Sequence, residues 1–197
     1  IVAFCITFIL TIVVGKKKLT SEDVSGVDIK QAEFIETENI DSEENKLDTV
    51  AENFQAPITG ITKKLSDIED KGFASGAMGE GFAIEMQDGK VVAPFSGEVM
   101  VCFPTGHAYG LKSNDGKEIL IHIGMDTVEL DGKGFDVKVQ AGQKIKQGDV
   151  LVNVDIDYVK SQGKSLVTPI VFTDGRKVEL LQENVAVKAG DENIIKL

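Results

Sequence analysis

Residues 107–124, HAYGLKSNDGKEILIHIG, decide the reading of the fold. Two short runs with β-forming side chains flank the polar turn residues Asn114, Asp115 and Gly116, the composition of a β-hairpin. From Lys117 to Ile123, Ile and Leu share the run with Lys, Glu and His. That is the signature of a half-buried antiparallel strand. Outward from this hairpin the pattern repeats. GFAIEM, KVVAPF, GEVMVCF, FDVKV, DVLVNVD, SLVTPIVFT, KVELL and NVAVKAG are apolar runs separated by Gly, Asp, Asn and Pro. Regular short runs with turn residues between them predict an all-β domain over 53–197, an antiparallel β-sandwich or partly closed barrel. Helix is expected only in short pieces such as Leu65 to Asp70.

The chain has 197 residues and a formal charge of -11, with a sequence pI of about 4.7. An acidic chain without a basic patch cannot neutralise phosphates along a nucleic acid, so no nucleic-acid partner is expected. A domain of this length buries a core without disulfides or a structural metal. The two cysteines agree. Cys5 lies in an apolar N-terminal run and Cys102 in a predicted strand, so they are not read as a pair.

Two segments precede the β domain. Residues 1–14, IVAFCITFILTIVV, carry no charge and are followed by Gly15 and Lys16, Lys17 and Lys18. Fourteen apolar residues fall short of the roughly 20 that span a bilayer. With the lysines after the apolar run rather than before it, residues 1–18 are read as the C-terminal end of a transmembrane helix with a cytoplasmic flank. Residues 19–52 hold eleven Asp or Glu against Lys30 and Lys46 and few large apolar side chains. This composition reads as an acidic flexible linker. The expected location is therefore the cell membrane, with the β domain on its cytoplasmic side.

The only histidines are His107 and His122, one on each arm of the hairpin. A two-residue turn would set His122 opposite His107 or opposite Tyr109, and in both registers the rings share a face. A three-residue turn without a bulge would separate them. Two neighbouring imidazoles without a Ser triad leave two chemistries open: a metal site one ligand short, which Asp126 in HIGMD could complete, or nucleophilic attack by a ring nitrogen. Thr105, two residues before His107, can orient one ring by hydrogen bonding.

PTGHAYGLKSNDGKEILIHIGMDTVELDGKGF, together with FASGAMGEGFAI, VVAPFSGEV, VKVQAGQKIKQGDVLVNVD and TPIVF, resembles the glucose-type IIA domain of the bacterial phosphoenolpyruvate-dependent sugar phosphotransferase system. FASGAMG, with a membrane segment and linker placed before the domain, is most similar to the IIBCA permeases of the β-glucoside, sucrose and trehalose group. The resemblance implies a phosphotransferase component with the duplicated hybrid-motif sandwich. It implies that His122 accepts a phosphoryl group from phospho-HPr and passes it to a cysteine of the IIB domain, while a IIC membrane domain admits the sugar. By the same resemblance His107 hydrogen-bonds the phosphoryl oxygens, Thr105 orients that ring, and Gly124 and Asp126 support the site. It also places Phe73, Met78, Phe103, Leu120 and Val128 on an apolar docking rim. No cofactor and no resident metal are implied.

Two other resemblances compete. VQAGQKIKQGDVL is similar to biotinyl and lipoyl carrier domains, but the modified-lysine hairpin of those domains is absent. His122 to Asp126 matches the H-x-x-x-D element of lysostaphin-type zinc hydrolases, but their H-x-H element is missing.

Overall fold

The computed structural model describes residues 52–197. The membrane-segment reading of 1–18 and, apart from Glu52, the linker reading of 19–52 lie outside the described residues. Among the described residues no helix is long and apolar enough to cross a membrane.

The described residues form twelve strands: β1 (Ile58–Lys64), β2 (Glu80–Val92), β3 (Gly97–Cys102), β4 (Ala108–Ser113), β5 (Glu118–His122), β6 (Phe135–Val137), β7 (Lys144–Ile145), β8 (Val150–Val154), β9 (Val167–Phe172), β10 (Glu179–Leu180), β11 (Ala186–Val187) and β12 (Ile195–Lys196). Among the described residues helix is limited to the single turn α1 (Lys71–Ala74), to α2 (Ile156–Ser161), and to 3₁₀ turns at Leu65–Asp67 and Thr127–Leu130. The helical piece expected from Leu65 to Asp70 is thus a shorter 3₁₀ turn, followed by α1. Ile68, with an extended backbone, ends the first, and Asp70 starts the second: its extended backbone places the carboxylate to accept from Gly72 N (2.8 Å) and Phe73 N (3.1 Å), capping α1.

Every strand pairing is antiparallel. Ten strands form one sheet along the path β11-β1-β2-β9-β5-β4-β3-β7, while β6 pairs with β8 and β8 with β2. The long β2 lets this sheet curl back on itself. Its first half, Glu80–Glu85, pairs with β9, and its last residues, Lys90–Val92, pair with β8. The result is the partly closed, all-β architecture expected from the alternation in the sequence. The tail beyond TPIVFT holds three short strands: β11 adds to β1, while β10 and β12 form a separate two-stranded ribbon. Ile194 and Val187 from this tail are buried in the core.

The interior is filled by every second residue of the hairpin and its neighbours. Tyr109 and Leu111 on β4, Ile119 and Ile121 on β5, and Ile170 and Phe172 on β9 all point into one cluster with Phe82, Phe95 and Phe54. Each such side chain contributes about 1.5–3 kcal/mol by leaving water. The opposite face of β5 and β9 is also buried. Leu120 and Val171, which face each other across the two strands, are closed off, and so are Leu65, Ile68 and Phe73 of the segment that follows β1. The Phe73 ring lies 5.3 Å from that of His122, two residues along the same face of β5 from Leu120. A strand covered on both sides is a firm base for its last residue, His122.

Candidate active site

The turn between β4 and β5 differs from the two-residue turn expected. Lys112 pairs with Glu118, Ser113 N–H donates to Lys117 O (2.8 Å), and Gly116 takes φ +90°, so the turn spans Asn114, Asp115 and Gly116. His122 is consequently opposite Ala108, and Ile123 N–H donates to His107 O (2.7 Å). In this register strict alternation would send the two imidazoles to opposite faces. They nevertheless meet: the ring centroids are 5.1 Å apart at 78°. The reason is that β4 begins only at Ala108. His107 lies in a bend behind Gly106, whose φ of +66° turns the chain out of the strand direction. A side chain at Gly106 would also strike Val137 Cγ2 at 2.6 Å, so the bend is packed as well as turned.

His122 closes β5 and its ring is fixed by a local bond. Its Nδ1 lies 2.9 Å from Gly124 O, and a carbonyl only accepts, so Nδ1 carries the proton and Nε2 keeps a free lone pair. Gly124 makes this geometry available. It sits at φ +70°, and a Cβ there would meet Ser165 O at 2.5 Å and Thr127 Cγ2 at 2.6 Å. Its own N–H donates to Thr168 Oγ1 (3.2 Å) on β9, which ties the loop after His122 to the sheet.

Burial draws the His122 pKa below its ordinary value, opposed by the Nδ1–H bond to Gly124 and by the carboxylates of Asp70 and Asp126. The imidazole is therefore neutral and nucleophilic near pH 7. His107 is almost wholly buried, between the rings of His122 and Phe103 (5.4 Å), and loss of solvent with the neighbouring His122 lowers its pKa to about 4. Its Nδ1 is 2.5 Å from Thr105 Oγ1.

Asp126 is exposed at φ +55°. Its carbonyl accepts from Glu129 N (3.2 Å) at the start of the Thr127–Leu130 turn. It does not join the two rings in a ligand cluster: among the described residues no group of three or more His, Cys, Asp or Glu side chains is placed to hold a metal ion. Of the five apolar residues assigned to a docking rim, Phe73 and Leu120 are buried, which corrects the expectation that they line an exposed surface. Met78, Phe103 and Val128 are half-buried and remain partly open. The sequence reading missed Asp70. Its signal was an Asp three residues before Phe73, the spacing of a helix cap, which turns the carboxylate toward the His122 end of the sheet. Cys102 is half-buried beside Val139 O (3.8 Å), and burial pushes its thiol pKa up, which leaves it unreactive.

A curled antiparallel β domain that holds one free imidazole nitrogen beside a second, hydroxyl-oriented imidazole is equipped for group transfer through histidine. The model of the phosphoenolpyruvate-dependent sugar phosphotransferase system family EIIA 1 matches residues 52–178, and the chain belongs to that family. It is also 40% identical to the glucose permease IIA from Mycoplasma capricolum, with a TM-score of 0.68 over 73% of this chain and 94% of that one. Glucose-type IIA domains are phosphotransferase components that relay phosphoryl groups in sugar uptake and interact with HPr and IIB.

Proposed function

We propose that His122 accepts a phosphoryl group from phospho-HPr and passes it to the cysteine of a IIB domain, within a IIBCA permease whose membrane part precedes the acidic segment and whose IIA domain faces the cytoplasm. The observation that carries the reading is the Nδ1–H bond of His122 to Gly124 O, which leaves Nε2 as the free nucleophile. In the first step the Nε2 lone pair forms a bond to phosphorus. The bond from phosphorus to the donor breaks, and its electron pair stays with the donor. In the second step a thiolate attacks phosphorus, the Nε2–P bond breaks, and His122 returns to the neutral imidazole it began as. Catalysis of this kind is chiefly positioning and charge stabilisation.

His107 supplies a hydrogen bond rather than a charge, because a group with a pKa of about 4 is neutral at pH 7. With the Thr105 hydroxyl donating to Nδ1, the His107 proton resides on Nε2 and is free to reach a phosphoryl oxygen. Asp70 and Asp126 place negative potential near His122, which disfavours the phosphorylated state and so favours onward transfer. Met78, Phe103 and Val128 are the partly open apolar residues for HPr and IIB to contact.

Labelled phosphate supplied from phosphoenolpyruvate through enzyme I and HPr tests the assignment. Wild type is expected to take up acid-labile, base-stable label, His122→Ala none, and His107→Gln is expected to accept label but pass it poorly to IIB. Label retained in His122→Ala would overturn the assignment.

A further inference from the structure

The first described residues are bonded into the domain at a place remote from the histidines. The Glu52 carboxylate accepts from Ser96 N (2.6 Å) and from Ser96 Oγ (2.8 Å). Gln147 Nε2 donates to Asn53 O (2.7 Å) and Pro94 O (3.0 Å), and its N–H to Ser96 Oγ (3.0 Å). Lys117, 7% exposed, pairs with Asp115 and reaches Glu52 O at 3.5 Å. One residue further in, Phe54 is buried against Phe82 (6.0 Å) and Phe172 (5.6 Å). These contacts join residues 52–54 to Ser96, just before β3, and to the β4–β5 turn, whose Asn114 N–H donates to Ser96 O (3.0 Å).

That turn is at the far end of the two strands that carry the histidines. Lys117 begins the arm that ends in His122, five residues of extended chain and so about 17 Å away. The attachment is also specific rather than a generic surface contact. A carboxylate receiving two hydrogen bonds from one residue fixes direction as well as position, and charge-assisted bonds of this kind are the stronger class.

We propose that the Glu52–Ser96–Gln147 cluster is an anchor that fixes the point at which the preceding chain enters the domain, at the pole opposite His107 and His122. A partner can then occupy the histidine face without displacing the entry segment. This consequence for partner access rests on the relay function proposed above; the anchor itself does not.

The test uses the full 197-residue chain with Cys5→Ala and Cys102→Ala, carrying spin labels at Ala51→Cys and Glu129→Cys. A narrow distance distribution centred beyond about 17 Å is expected, because five residues of strand separate the two ends. Glu52→Ala with Gln147→Ala is expected to broaden it, and to speed amide exchange at Ser96 by roughly tenfold or more, the loss of a charge-assisted bond. Glu52→Gln, which keeps the shape and removes the charge, serves as the milder variant should the double substitution unfold, with an intermediate acceleration expected. A wild-type distribution as broad as the variant's, a substantial population of shorter distances, or unchanged Ser96 exchange overturns the anchor. Transfer of label to His122, measured on the same samples, separates the two ideas: no label in wild type would overturn the relay reading while the distances still judge the anchor.

Discussion

Acidification should cost the domain stability through His107 in particular. In an unfolded chain this imidazole has the ordinary value of 6.5, and in the folded domain burial and the facing His122 hold it at about 4. The folded state therefore refuses a proton that the unfolded state accepts between these values. A depressed pKa contributes stability that is fully present above about pH 6.5 and is lost as pH falls through about 4. A gap of about 2.5 pH units at about 1.4 kcal/mol each amounts to about 3 kcal/mol, a large fraction of the stability of a single domain. Part of the loss in wild type also comes from His122, which shifts in the same direction, so the comparison must isolate His107. Urea unfolding of wild type and His107→Gln at pH 7.5, 6, 5 and 4 does this, since Gln cannot titrate. The advantage of wild type over the variant is expected to shrink by about 3 kcal/mol across the series. A difference that stays flat from pH 7.5 to 4, or a His107 resonance titrating near 6.5, would refute the reasoning.

Gly124→Ala is expected to destabilise by about 1–3 kcal/mol, since alanine at φ +70° is strained and its Cβ meets Ser165 O. The same substitution should move the Gly124 carbonyl from His122 Nδ1, visible as a mixed tautomer in the ¹⁵N spectrum of that ring. Thr105→Val removes the partner of His107 Nδ1 and should cost about 1 kcal/mol in denaturant unfolding, while slowing passage of label to IIB more than its uptake. Tyr109→Phe should change stability by less than about 1 kcal/mol, because the buried Tyr109 hydroxyl has only the weakly bonding Cys102 thiol beside it and no strong hydrogen-bond partner. A thermal midpoint several degrees lower in that variant would show that the hydroxyl makes a stronger bond than a thiol can offer.

The β architecture was legible because short β-forming runs recur between Gly, Asp, Asn and Pro; the half-buried strand read from KEILIHI was not, since β5 is covered on both faces. The closeness of the two histidines was also legible, although through the wrong register. Asn114, Asp115 and Gly116 allow a two-residue or a three-residue turn, and the composition alone does not choose between them. What restores the meeting of the rings is the bend at Gly106 and His107, which depends on packing against Val137 far along the chain. Burial of Phe73 and Leu120 was hidden for a similar reason. Strand periodicity shows which residues share a face of β5, but not that the segment after β1 is buried with that face. Asp70 was missed because its two tasks, capping α1 and biasing His122, become one only when α1 is placed beside β5.

β5 has hydrogen-bonded neighbours on both edges, β4 and β9, and apolar packing on both faces. A histidine at the end of such a strand can be approached but not rearranged. Any protein that exchanges a group with His122 must therefore bring its reacting atom to one fixed point, along directions set by the surrounding Phe73 and His107 rings. Proteins with different folds that share this site would have to converge on the same outline at their point of contact, as keys cut for one lock.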